Sequence, residues 1–221
     1  MQQTFLPTIS INKEIIADMP IAEYRGDIHV VDTASDVRSA VRYLSRQPIV
    51  GFDTETRPSF RKGRMHNVAL VQLSTDDCCF LIRLCKTGFA APLREFFENG
   101  AVAKIGLSVK DDFHGLQRFG EFTPAGFIEL QDYVRQFGIV DASLQKIYAI
   151  LFGRRISKGQ RLTNWEAETL TEAQMLYAAT DAWACIRIYQ TLAEMEETGE
   201  YEVEKVKNKF EANTLFGELN V

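Results

Sequence analysis

Three apolar runs lie close together in the first half of the chain: IVGFDTE over residues 49–55, VALVQLS over 68–74 and CFLIRL over 79–84. Each has strand length and is apolar almost throughout, which predicts strands covered on both faces. Only TRPSFRKGRMHN and TDDC separate them. Links this short favour antiparallel neighbours, because a parallel crossover needs a dozen residues or more.

Beyond residue 90 the pattern alternates. A helix is predicted from Ala91 to Asn99, a strand at VAKIGL, a helix from about Lys110 to Phe119 and a strand at FIELQDY. Ser143 can start a further helix that ends before Gly153, and Thr171 with Gln174 forms a capping box that opens a long final helix. Upstream, Ser35 is placed as the cap of a helix running to Arg46, with Val37, Ala40, Val41 and Leu44 on its apolar side. The class is therefore α/β: a mixed sheet of three antiparallel strands continued by parallel ones, covered by helices. At 221 residues one sizeable domain is expected. Residues 1–32 read as an arm packed on it, 33–196 as the domain, and 197–221 as a charged helix or tail.

The formal net charge of -5 supplies no general attraction to polyanions. Nucleic acid would have to be held by local basic clusters and bound cations. Cys78, Cys79, Cys85 and Cys185 lack the spacing of a zinc site or a secreted disulfide scaffold. The first residues show no basic stretch followed by an apolar core, and no apolar run approaches the roughly 20 residues that cross a bilayer. A cytoplasmic protein without a membrane partner is expected.

Asp53 and Glu55 are two apart on one strand, so their carboxylates share a face and Thr54 points the other way. Such a pair repels unless a proton or a divalent cation is shared between them. Tyr177 and Asp181, four apart on the last helix, lie one turn from each other on a single face. Ala178, Ala179 and Thr180 between them are small, as suits a helix lying close on a sheet. Asp112 follows the strand KIGLSV near a helix start, where Asp111 is a competing choice and helix capping is the plain reading of either.

Taken together, GFDTE, VALVQLS, KIGLSVKDD, TNWEAETLTEAQ and LYAATDAWA resemble the DEDD superfamily of exonuclease domains, in order and separation, from about Ile49 to Leu192. The likeness is to the tyrosine-bearing subclass found in RNase D and the Werner-syndrome helicase, and is closer to the Werner type. It implies an RNase H-like, DnaQ-like fold with helices on both faces of the sheet. It also implies a 3′-to-5′ exonuclease that releases nucleoside 5′-monophosphates with two divalent cations, Mg²⁺ or Mn²⁺. Position by position, Asp53, Glu55, Asp112, Tyr177 and Asp181 become the catalytic set, with the four acids as metal ligands and the phenol orienting the attacking water.

For substrate, two basic clusters stand out: Arg57, Arg61, Lys62 and Arg64 after the first strand, and Arg154, Arg155, Lys158 and Arg161 before TNW. Either can position phosphates or simply be a solvated loop. The Werner-type aromatic two residues past the second-motif aspartate is replaced here by His114, with Phe113 beside it. The partner expected is a nucleic-acid 3′ end, DNA or RNA, with a helicase or other processing partner supplied in trans. Two competing readings are a catalytically silent nucleic-acid-binding module of a larger assembly and a nuclease of short oligoribonucleotides.

Overall fold

The computed structural model describes residues 8–198 apart from Lys62 and Arg64. In chain order the elements are α1 (Lys13–Ala17), β1 (Asp27–Val31), α2 (Ala34–Leu44), β2 (Ile49–Thr56), β3 (Val68–Ser74), β4 (Cys78–Arg83) and α3 (Leu84–Thr87). There follow α4 (Ala91–Glu98), β5 (Ala103–Gly106), α5 (Val109–Gln117), β6 (Phe127–Glu129), α6 (Leu130–Arg135), α7 (Leu144–Phe152) and α8 (Glu172–Thr198). Six strands form one sheet in the order β1-β4-β3-β2-β5-β6. β2, β3 and β4 are antiparallel neighbours, while β5 and β6 continue the sheet in parallel beyond β2. This is the mixed α/β sheet that the short links and the later alternation imply.

One face of the sheet buries Val50, Phe52, Val71, Leu73 and Ile82 against Leu44 of α2, Leu93 and Phe97 of α4, and Val109 and Leu116 of α5. The other is covered by α6, α7 and α8 through Val134, Ile147, Ile150, Ile188 and Leu192. Each such side chain contributes about 1.5–3 kcal/mol of transfer free energy. α8 crosses β2 so closely that a Cβ on Gly51 would stand 1.9 Å from the Ala182 carbonyl oxygen. The small residues Ala178, Ala179 and Ala182, all fully buried, allow that approach. They fix the helix carrying Tyr177 and Asp181 directly over the strand carrying Asp53 and Glu55.

Several local expectations are corrected. The cap of α2 is Thr33, whose hydroxyl accepts from the Asp36 N–H at 3.2 Å, and Ser35 lies inside the helix. FIELQDY is a strand only to Glu129; its remainder turns into α6 because the Glu129 carboxylate accepts from Gln131 N–H and caps that helix. Within the described part of the segment read as an arm, β1 pairs in parallel with β4 as an edge strand. The capping box is present: Gln174 N–H donates to Thr171 Oγ1 at 3.2 Å and Thr171 N–H to Gln174 Oε1 at 3.0 Å. The tail expected over 197–221 lies outside the described residues except for Glu197 and Thr198, which end α8. Among the described residues, no helix is long and apolar enough to cross a membrane.

Candidate active site

Strand alternation aims Asp53 and Glu55 at α8, and the helical turn brings Asp181 to meet them. Carboxylate oxygens of Asp53, Glu55 and Asp181 all lie within 4.8 Å of one another. Glu55 and Asp181 are each only 8% exposed, so water screens their mutual repulsion poorly. Among the described residues, none of the three forms an ion pair with a lysine, arginine or histidine.

Burial first, and mutual repulsion second, governs the protonation of these acids. Burial raises Asp53 from 3.8 to about 7, against the pull of its hydrogen bond from Thr54 N–H. Burial and then the charges of Asp53 and Asp181 raise Glu55 to about 9. Asp181 is pushed well above its ordinary value by burial and Asp53, with the Tyr177 hydrogen bond and Lys158 opposing. The Tyr177 phenol is raised by burial and then by Asp181 and Glu55, and therefore stays protonated.

Asp112 arrives from the opposite face of the sheet. α5 carries it over the end of β2, where its carboxylate accepts a short hydrogen bond from the Thr54 hydroxyl. It is half-buried, and burial followed by the charge of Asp53 lifts its pKa to about 8. Asp112 thus borders the close trio without joining it, while Asp111 is exposed. The geometry chooses between the two neighbours. α5 is itself anchored by Glu129, which accepts from Ser108 N–H at 2.9 Å and Val109 N–H at 2.8 Å across a left-handed Ser108 (φ 64°).

A cleft of about 390 Å³ opens over the trio, walled opposite by Ser143 and Gln145 at the start of α7 and by Lys158 and Arg161. A larger cleft of about 700 Å³ near Tyr24, Asp76, Asp77 and Trp183 holds none of these carboxylates, so volume alone does not mark the site. A tight set of carboxylate oxygens, without an ion pair among the described residues, fits hard divalent ions, which favour such donors and offset their repulsion. Gln72 adds to that fit. It stands across from Asp53 in the β2–β3 register, fully buried, and neither end of its amide has a partner.

Folding raises the pKa of each carboxyl, so protonation favours the fold. Metal-free stability is complete below the unfolded values near 4 and is lost as pH rises through about 7 for Asp53, 8 for Asp112 and 9 for Glu55. A divalent cation binds the deprotonated set and reverses the loss. In EDTA the Tm should fall between pH 6 and pH 9, and Mn²⁺ should raise it more at pH 9, by several degrees. Equal metal-induced shifts at both pH values would contradict this linkage.

The substrate-contact residues disperse. Arg161 lines the cleft and Arg61 is exposed on the β2–β3 loop, but Arg57 is paired with Glu166 at 3.2 Å. Phe113 turns inward, its ring 4.8 Å from Phe127, so core packing occupies it, while His114 is exposed. In the second basic cluster Lys158 joins Arg161 at the cleft. Arg154 lines the other cleft, and Arg155 donates to the Met19 carbonyl at 3.0 Å. Lys62 and Arg64 lie outside the described residues. Thr54, Gln72 and Glu129 were not singled out from sequence. Strand register could have found Gln72, whereas the Thr54 and Glu129 bonds depend on where α5 docks.

A family model described as a 3′-5′ exonuclease matches residues 28–197. The mouse bifunctional 3′-5′ exonuclease/ATP-dependent helicase WRN is 30% identical over 201 residues, covering 86% of this chain and 14% of that protein. Ribonuclease D of Gluconacetobacter diazotrophicus is 31% identical over 173 residues, 76% of this chain and 43% of that one. The chain therefore spans less than half the length of either curated relative. Among solved structures, the EXO domain of Aedes aegypti Nibbler superposes with a TM-score of 0.73 at 22% identity, covering 86% of this chain and 99% of that one. At that identity it speaks for the fold alone.

Proposed function

The chain belongs to the 3′-5′ exonuclease family, and from that premise we propose that it hydrolyses phosphodiester bonds at nucleic-acid 3′ ends, releasing nucleoside 5′-monophosphates. The observation that carries this reading is the close approach of Asp53, Glu55 and Asp181 within 4.8 Å, with Glu55 and Asp181 buried and Asp53 half-buried, and with no ion pair to any of them among the described residues. Asp53, Glu55, Asp181 and the neighbouring Asp112 would hold two divalent cations, Mg²⁺ or Mn²⁺. When bound, these lower the pKa of a water and offset the charge that builds on the phosphate and leaving oxygens.

The chain's own groups then divide the remaining work. Asp53, whose charge acts on Glu55, Asp112 and Asp181, would be the carboxylate shared by the whole set. Thr54 holds Asp112 by its hydroxyl and Asp53 by its N–H, so one residue orients carboxylates that reach the site from opposite faces. Tyr177 keeps its proton beside Asp181, which suits it to orient a water at the scissile phosphorus rather than to act as a base. A protonated phenol at this place supports reading the site as one of the tyrosine-bearing subclass. Lys158 and Arg161 line the far wall of the cleft, where they would attract the phosphates of the strand.

An end-labelled oligonucleotide tests the reading. With Mn²⁺ a 5′-labelled strand should shorten progressively into a ladder, EDTA should stop it, and the product should co-migrate with a 5′-monophosphate. An intact strand under all metals, or cleavage from the 5′ end, would overturn the proposal. The silent-module reading predicts binding with no ladder, and the short-oligoribonucleotide reading predicts a ladder only from very short RNA.

A further inference from the structure

Two large apolar side chains project from the loop that joins β2 to β3, just beyond the catalytic strand. Phe60 is 86% exposed and Met65 77% exposed, the two most exposed large hydrophobics among the described residues. In sequence they are interleaved with cations: the loop reads RPSFRKGRMHN, and among the described residues Arg57 and Arg61 flank Phe60. An exposed aromatic costs hydration free energy unless something covers it, and nothing in the rest of the described chain does so.

The foot of the loop is fixed. Arg57 pairs with Glu166 at 3.2 Å and His66 Nδ1 lies 3.4 Å from the same carboxylate. Arg118 donates to the His66 carbonyl at 2.9 Å. Between those anchors the chain turns at Gly63 in the left-handed region (φ 77°), and Ser59 Oγ donates to the Arg61 carbonyl at 3.2 Å. Glu166 belongs to the connection between α7 and α8 that also carries Arg161 at the cleft and the 61% exposed Leu162. The two loops are thus tied together beside the acids, with a cation and an apolar side chain on each.

We propose that Phe60, supported by Met65, is a stacking contact for unpaired bases upstream of the scissile 3′ end, with the exposed Arg61 beside it holding an intervening phosphate. Aromatic rings interleaved with positive charge are the arrangement that holds single-stranded nucleic acid without reading its sequence. Phe60 stands five residues beyond Glu55, so its backbone reaches at most roughly 17 Å from that carboxylate's position. At about 3.4 Å per stacked nucleotide, the ring meets bases within about five nucleotides of the end. The substrate preferred is therefore a strand with an unpaired 3′ segment of that length, DNA or RNA. This inference rests on the nuclease reading for its location, but its chemistry can be read by binding alone.

The test compares the wild type with the Phe60→Ala/Met65→Ala and Phe60→Trp variants. Binding of a fluorescent oligothymidylate of about a dozen nucleotides is followed by anisotropy in EDTA. Turnover in Mn²⁺ is followed on that oligonucleotide and on the p-nitrophenyl ester of thymidine 5′-monophosphate, which has no upstream bases. The double alanine variant should bind the oligonucleotide about 10- to 100-fold more weakly, with the slope of affinity against salt unchanged because no loop charge is removed. Ester hydrolysis should stay within about twofold of wild type, and Phe60→Trp should bind at least as tightly. Unchanged oligonucleotide affinity would overturn the proposal and leave the patch as a protein-docking surface. A parallel loss on the ester would overturn it in favour of a role in holding the site together. If wild type hydrolyses neither substrate, the nuclease reading fails, and the anisotropy still decides whether Phe60 stacks on bases.

Discussion

Replacing Asp53 with Asn should lower 3′-end hydrolysis by about 10³-fold or more while raising the thermal stability of the metal-free protein. The two effects share one cause. Asp53 contributes charge that raises both Glu55 and Asp181, and it is itself raised by burial. An amide of the same shape can still accept from Thr54 N–H, yet it removes the repulsion among three carboxylates held within 4.8 Å. The metal-free variant should therefore melt above wild type at pH 8. The shift that Mn²⁺ gives the wild type should be small or absent in the variant. A residue kept for the fold would behave oppositely, losing stability and activity together. Differential scanning in EDTA and in Mn²⁺, alongside the oligonucleotide assay, separates the two outcomes.

The second large effect is expected at Gly51. A methyl group there meets the Ala182 carbonyl oxygen at 1.9 Å and its carbon at 2.7 Å. These are backbone atoms in the middle of α8 and cannot swing aside as the end of a long side chain could. Gly51→Ala should cost about 3 kcal/mol, a fall in Tm of roughly 10 °C for a chain of this size. Whatever relief occurs must lift α8 from β2, which moves Asp181 and Tyr177 away from Asp53 and Glu55. The variant should therefore lose metal affinity at temperatures where it remains folded. Gly100→Ala is the control: its Cβ would approach only Ala125 Cβ, at 3.9 Å, and should change stability by less than about 1 kcal/mol. Equal melting points for the two variants would show that β2 and α8 are not locked together as described.

What was legible in the sequence depended on whether local chemistry decides the outcome. The strands β2, β3 and β4 declare themselves because buried strands must be apolar throughout, and their short links leave little choice of direction. The capping box at Thr171 and Gln174 and the cap at Ser143 are local hydrogen bonds and appear where expected. β1 was not legible: as an edge strand with His29 and Val30 exposed, DIHVV carries little apolar contrast. α6 was hidden inside FIELQDY because Glu129 serves two partners at once, capping α6 and receiving the N–H groups that open α5.

The site shows the same division. Spacing of two on a strand and of four on a helix was enough to pair Asp53 with Glu55 and Tyr177 with Asp181. Spacing could not choose Asp112 over Asp111, since both lie in the first turn of α5; the Thr54 hydroxyl makes that choice. Nor could a run of positive charge say which cations face substrate. Arg155 holds the backbone of Met19 and Arg57 is paired with Glu166, while Lys158 and Arg161, from the same short stretch as Arg155, reach the cleft. Long cationic side chains take their direction from partners distant in sequence.

The proposed nuclease requires carboxylates from β2, α5 and α8 to converge on divalent cations at one place. Anomalous scattering at the manganese edge, from crystals soaked in Mn²⁺, tests it most directly. The account predicts manganese bound by Asp53 together with Glu55 and Asp181, and a second ion between Asp53 and Asp112. Crystals that take up manganese elsewhere, or that show no ion in contact with Asp53, would contradict it.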